Sequence, residues 1–295
     1  MDTLATELEE TADAVEQLLD SLIVLPEGRE ARVVEAMRYS TFAGGKRLRP
    51  FLVIASADLF AVRREQSLRV AAAVEMVHTY SLVHDDLPCM DDDDLRRGKP
   101  SAHIQFDEAT AVLAGDGLLT QAFEVLADEK TSHHAGIRTE LVLSLARAAG
   151  SHGMVGGQMM DLLTEHIEVD VGEITRLQQL KTGALIAFAC EAGAILGKAD
   201  DHERHALHAF AHDLGLAFQI TDDLLDAEGS AERLGKKVGK DKDRGKATYV
   251  SLLGLDGAHQ QAKLLAEQAA THLAPFGPRA ELLRDLAIFV INRGT

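Results

Sequence analysis

Tryptophan is absent from this chain, and all aromatic residues together make up 4% of it. With Ala, Leu, Glu, Asp and Arg abundant instead, the composition disfavours sheets and favours helices. Of six prolines none lies between Pro100 and Pro275, a gap suited to consecutive helices. Two cysteines, Cys89 and Cys190, exclude a disulfide framework and point to a reducing cytoplasm. Basic residues are outnumbered, 30 Lys and Arg against 47 Asp and Glu, and the formal net charge of −17 argues against a nucleic-acid binder. It fits a protein that handles cations. No uncharged apolar run approaches the roughly 18 residues that would cross a bilayer, so no membrane insertion is expected. The acidic N-terminus lacks the basic and apolar segments of a signal peptide, and a cytoplasmic location is expected.

What is present is a 46% hydrophobic content over 295 residues, ample for a core and close to the upper limit for one domain. No period of about 20 to 50 residues and no low-complexity linker divides the chain. Short breaks such as "FAGGKRLRP", "RRGKPS" and "APFGP" separate helical patterns. Between Leu68 and Val83 the apolar residues Val70, Val74, Val77 and Leu82 recur at helical spacing. The stretch from Arg176 to Gly197 is nearly apolar around its circumference in its second half, as in a helix buried within a bundle. The pattern predicts about ten helices in one all-α domain spanning residues 1–295.

Six aspartates fall within ten residues, from Asp85 to Asp94, with Pro88 inside the run. In an unbroken helix Asp85 and Asp91 point about 240° apart. A break at Pro88 brings Asp91 back beside Asp85 and makes an oxygen-only site suited to Mg²⁺. In "FQITDDLLD" no proline intervenes, so Asp222 and Asp226 share one helical face with Gln219. Either acidic run alone reads as readily as a solvated helix end, which Asp92, Asp93 and Asp94 fit.

A basic, glycine-containing loop follows each run. Arg96 and Arg97 come after the first; Lys236, Lys237, Lys240, Lys242, Arg244 and Lys246 come after the second. A third set, "GGKRLRP", places Lys46 and Arg49 on one side of a helical turn. Such loops balance an acidic protein or hold polyphosphate anions beside metal-binding carboxylates. His78, two turns before Asp85, faces the same way, as a core residue or as a ligand. Lys181, with Thr182, interrupts the most apolar helix and must find an anion or reach outward.

From about Tyr39 to Tyr249 the sequence resembles the trans-type polyprenyl diphosphate synthases, most closely the short-chain bacterial farnesyl diphosphate synthases. The motifs that carry the resemblance are "GGKRLRP", "DDLPCMD" with "RRGKPS", "LAGDGLLTQAFEVL", "LKTGALI" and "FQITDDLLD" with its lysine loop. Gly117 and Ser101 are small departures from the family pattern. The resemblance implies a single-domain antiparallel all-α bundle of isoprenoid synthase type around a deep central cavity, forming a homodimer. It implies condensation of isopentenyl diphosphate with dimethylallyl and geranyl diphosphates, and no nucleic-acid partner. Mg²⁺ is the implied cofactor, three ions with substrate bound, with Mn²⁺ as the alternative. Asp85, Asp91 and Asp222 would hold metal, with Asp86, Asp223 and Asp226 supporting them directly or through water. Arg96, Lys181, Thr182, Gln219, Lys236 and Lys246 match positions that bind the allylic diphosphate. Lys46, Arg49, His78 and Arg97 match those that bind isopentenyl diphosphate. Arg293 keeps a basic residue at the C-terminal end.

Tyr80 and Ser81, five and four residues before the first motif, occupy the family's chain-length floor, and Tyr80 lies roughly 7 Å along the helix from Asp85. Tyr80 reads as that floor, which would stop the product at fifteen carbons, or as a packed aromatic with its hydroxyl satisfied. A geranylgeranyl diphosphate synthase shares nearly every other motif. A class I terpene synthase also uses an acidic helix but does not need Lys46, Arg49 and His78. His84-Asp85 and His212-Asp213 hint at a histidine-aspartate phosphohydrolase, and Glu75-x-x-His78 at a di-iron bundle, which requires a second such motif. An acidic helical scaffold is the non-catalytic alternative.

Overall fold

The computed structural model describes residues 2–164, 167, 169–228 and 248–292. The chain divides into two compact units. One holds residues 2–54 and 63–142, the other residues 55–62 with those described from Leu143 on. The architecture is helical throughout, apart from one two-residue hairpin, among the described residues.

In the first unit α1 (Asp2–Leu22) and α2 (Ala31–Thr41) pack against α4 (Arg64–Asp85), whose stretch Val70–Val77, apolar but for Glu75, is almost wholly without exposure. Three consecutive alanines, Ala71, Ala72 and Ala73, keep α4 slim enough to be enclosed on every side. The helix α3 (Leu48–Asp58) leads out of the "GGKRLRP" loop. After α4 the hairpin β1 (Leu95–Arg96) and β2 (Lys99–Pro100) turns through Arg97 and Gly98, both at positive φ (53° and 77°), as a two-residue primed turn requires. Sequence patterning did not anticipate it, because two paired residues per strand leave no alternation to detect.

Next come α5 (Ala102–Gln105) and α6 (Glu108–Ala127), which packs along α4 and α2. Asp107 caps α6 by accepting from the Thr110 backbone N–H at 2.8 Å, and Arg32 pairs with its carboxylate at 2.7 Å. A Cβ on Gly115 would stand 2.1 Å from His84 Nε2, so only glycine lets His84 reach the Val112 carbonyl at 3.0 Å.

After α7 (Ala135–Ala149), the second unit contains α8 (Met154–Thr164), α9 (Val171–Gln178), a π-helical turn (Gln179–Gly183) and α10 (Ala184–Gly197). The expected buried helix is α10, with Leu185, Ile186, Phe188, Ala189 and Cys190 all enclosed. Val171–Gly197 is a continuous helical run of 27 residues, long and apolar enough to cross a membrane, with 56% of its most apolar window buried inside the protein. It contains Glu173, Arg176 and Lys181, which is why no uncharged run is visible there. α11 (Asp201–Glu228) packs against α10 and α12 (Tyr249–His272). Ile220, Leu224 and Tyr249 share one apolar cluster there. A 3₁₀ segment (Ala274–Ala280) and α13 (Glu281–Asn292) complete the described chain.

Candidate active site

The first acidic run begins where α4 ends. Pro88 cannot continue the helix, and the chain folds back so that the Asp91 N–H donates to the Asp85 carbonyl at 2.7 Å. Asp92 N–H reaches the Leu87 carbonyl at 3.1 Å and Asp93 N–H the Asp86 carbonyl at 3.2 Å. Leu87, packed with Val83, Ala102 and Ala111, plugs the turn into the core. The expected return of Asp91 to Asp85 is therefore a backbone hydrogen bond, with both side chains half-buried.

Asp86, expected to support the metal directly or through water, is buried beside Arg96. Its side chain is 3% exposed and lies in a bidentate ion pair with Arg96, whose Nε stands 3.0 Å from Oδ1. Burial pushes this carboxyl above the ordinary carboxylate value, against the pull of Arg96. Arg96, expected at the allylic diphosphate, also approaches Asp93 at 3.7 Å. The hairpin thus delivers Arg96 to the acidic turn and Arg97 to the glycine loop, where Arg97 donates to the Gly44 carbonyl.

Of the four residues expected at isopentenyl diphosphate, Arg49 and Arg97 act on His78, and Lys46 lies on the same glycine loop as Arg49. His78 is half-buried on α4, and its enclosure, then the charges of Arg49 and Arg97, holds its imidazole well below the ordinary histidine value. It is neutral near pH 7, so the positive charge here belongs to lysine and arginine. Lys46 is exposed at the loop tip and Arg49 lies in the first turn of α3. Sequence reasoning missed Arg47 between them, which is 2% exposed. Its φ of 47° and its two glutamate partners are invisible in a motif read as a row of cations.

In the second unit Asp222 and Asp226 lie half-buried, one turn apart on α11. Asp223 faces inward at 5% exposure. Expected as a metal support, it is used structurally: Oδ1 accepts from Gln219 Nε2 at 3.0 Å, and Oδ2 from the Tyr249 backbone N–H at 2.9 Å. Asp223 therefore caps the start of α12 from 26 residues away. Gln219 Oε1 in turn accepts from the Thr182 hydroxyl at 3.2 Å, joining two residues expected at the allylic diphosphate.

Lys181 finds its anion within the protein, the Asp161 carboxylate at 2.6 Å. It sits in the π-helical turn, where one extra residue per turn re-aims side chains. A Cβ on Gly157 would come within 2.2 Å of the Lys181 backbone nitrogen, so the glycine sets the close approach of α8 to this turn. Asp161 was missed in the sequence, although a lone carboxylate in apolar α8 was the available signal. Lys236, Lys237, Lys240, Lys242, Arg244, Lys246 and Arg293 lie outside the described residues.

Tyr80 is buried, with its ring edge-on to His84 at 5.3 Å. Its pKa is raised by burial, then by the charges of Asp85 and Asp116. The Ser81 hydroxyl donates to the His78 carbonyl at 2.8 Å.

The donor set fits a hard divalent ion shared with a phosphate. Among the described residues no three His, Cys, Asp or Glu side chains are assembled to cage a metal alone. Mg²⁺ does not need such a cage, since it takes one or two carboxylates with water and substrate oxygens. The residues behind the two histidine-based alternatives have partners of their own. His84 bonds to Val112, while Asp213 lies between His212 and His272 at 3.1 and 3.0 Å. Glu75 is taken by Arg47 at 2.5 Å.

An all-α chain with two acidic helix ends, a neutral histidine among arginines and a lysine in a π turn defines a class: it belongs to the polyprenyl synthetase family, whose model matches residues 30–274. Among solved structures it is similar to an FPP/GFPP synthase from Zymomonas mobilis, with a TM-score of 0.90, 49% identity, and 98% of this chain and 99% of that one covered. It is 45% identical over 260 residues to the farnesyl diphosphate synthase of Bacillus subtilis, 88% of each chain. It is also 40% identical to the geranylgeranyl diphosphate synthase of Cyanophora paradoxa, over 98% of this chain and 96% of the relative.

Proposed function

We propose that this chain is a farnesyl diphosphate synthase, condensing isopentenyl diphosphate with dimethylallyl and then geranyl diphosphate. The observation that carries the reading is the gathering of Arg49 and Arg97 about His78, with Lys46 on the same loop, in the unit that also folds Asp91 onto Asp85. A cationic cluster in the same unit as paired carboxylates suits a diphosphate and its metal. The family match, running across both units, supports one polyprenyl synthase domain. We further propose a cytoplasmic homodimer using Mg²⁺.

Asp85 and Asp91 of the first motif, and Asp222 and Asp226 of the second, are the residues for divalent ions, three with substrate bound. Such ions neutralise charge on a departing diphosphate. Arg96, Lys181, Thr182, Gln219, Lys236 and Lys246 bind the allylic diphosphate and stabilise the charge that develops as the C–O bond breaks. Lys46, Arg49, Arg97 and His78 hold isopentenyl diphosphate so that its double bond attacks the allylic carbon, forming the new C–C bond. Apolar side chains exclude water from the carbocation. The proton lost in the last step goes to the released diphosphate, so no side-chain nucleophile is required.

The test is an assay with isopentenyl diphosphate, each allylic primer and Mg²⁺, followed by chromatography of the dephosphorylated products. Farnesol is the expected alcohol. No diphosphate release would leave the scaffold reading, and a cyclic hydrocarbon from farnesyl diphosphate alone would favour a terpene synthase. Geranylgeraniol would support the second reading, which the resemblance to the Cyanophora paradoxa synthase favours.

A further inference from the structure

A buried ion network underlies the loop that carries Lys46 and Arg49. Lys46 is exposed while the next side chain, Arg47, is enclosed. Arg47 adopts a left-handed φ of 47°, unfavourable for a residue with a Cβ. Its guanidinium holds the loop there through three elements. Nη1 donates to Glu75 of α4 at 2.5 Å, and Nη2 donates to the Thr41 carbonyl at the end of α2 at 2.7 Å and to Glu16 of α1 at 2.9 Å. The Glu75 side chain is 2% exposed and that of Glu16 41%, so the network runs from the core to the surface.

The same groups act on the cationic pocket. Glu75 and Glu16 both attract Arg97, whose guanidinium packs against Gly45. The charge of Arg47 adds to those of Arg49 and Arg97 in keeping His78 neutral. The family match begins at residue 30, so α1 lies outside it, yet α1 supplies one of the anchors.

We propose that Arg47 is a positioning residue for the isopentenyl diphosphate site and that α1, through Glu16, is part of that site's frame. The inference rests on the reading of Lys46, Arg49, His78 and Arg97 as that site. The planar guanidinium reaches its three acceptors through a rigid fork of N–H donors, a geometry that the compact ammonium of lysine does not reproduce. A lysine at this position keeps the charge but releases the loop, which must then be ordered when the ligand binds.

Calorimetric binding of isopentenyl diphosphate and steady-state kinetics test this on Arg47→Lys, Glu16→Ala and Lys46→Ala. Arg47→Lys should weaken binding about tenfold and raise the KM for isopentenyl diphosphate in parallel, with the KM for dimethylallyl diphosphate within about twofold. Glu16→Ala, at the exposed end, should act in the same direction by about threefold, and it decides the matter if Arg47→Lys does not fold. Wild-type affinity in both variants, with binding lost in Lys46→Ala, overturns the positioning role alone. An equal rise in both KM values overturns it too. Undiminished binding in Lys46→Ala overturns the site and the positioning role together.

Discussion

The two acidic motifs are alike in composition and unlike in construction. At Asp85–Asp91 a proline folds the chain back, and the inward carboxylate, Asp86, is balanced by the full charge of Arg96. At Asp222–Asp226 the helix runs straight on, and the inward carboxylate, Asp223, accepts from the Gln219 side chain and the Tyr249 backbone N–H. The first motif uses its inner aspartate to fix an arginine; the second uses its own to fix the start of a helix. In both, the two outer aspartates are half-buried, the pairs we assign to metal.

Removing an outer carboxylate from either motif should have the largest effect. Asp85→Ala or Asp222→Ala should lower turnover by about a thousandfold or more while the helical circular dichroism persists. Full activity in either variant would mean that the metal roles are misassigned. The inner carboxylates separate the two constructions by stability. Arg96→Met leaves Asp86 buried and unpaired and should cost about 3 kcal/mol in urea denaturation. Asp223→Ala loses a cap and a neutral hydrogen bond, about 1–2 kcal/mol. Equal losses would erase the distinction.

A subtler change concerns only the first motif's helix. Tyr80→Ala should extend the product beyond fifteen carbons, read by chromatography of the alcohols, whereas a mutant still stopping at farnesol would remove the floor assignment. The smallest effect is a pH control outside both motifs. Hydrogen bonds from Arg32 and Thr110 hold the Asp107 carboxyl down at about 2. A depressed carboxylate contributes stability above its unfolded value, near 4, and loses it as the pH falls towards 2. Asp107→Asn should flatten the stability curve across that acid window and leave neutral pH activity unchanged.

The broad outline was legible because it rests on local chemistry. Long spacing between prolines and a nearly continuous apolar run anticipated helices and the buried α10. Proline in an acidic helix end anticipated the turn that returns Asp91 to Asp85. What the motifs did not reveal is where a side chain finds a partner inside the protein. Asp86, Asp223 and Lys181, expected near a ligand, each have a partner on another element. Nothing in a linear motif marks Asp161 as the anion for Lys181, since the two are twenty residues apart and joined only by the approach of α8 to the π turn.

Residue order alone determined the helical class, the two carboxylate pairs and the three basic loops, because helix spacing and proline act within a few residues. Tertiary structure decided which charges are shared within the protein. Arg47 shares its charge with Glu16 and Glu75, and Asp223 caps α12. The physical reason is desolvation: a polar group taken out of water must be matched by whatever the fold brings beside it, and that neighbour lies far away in the chain.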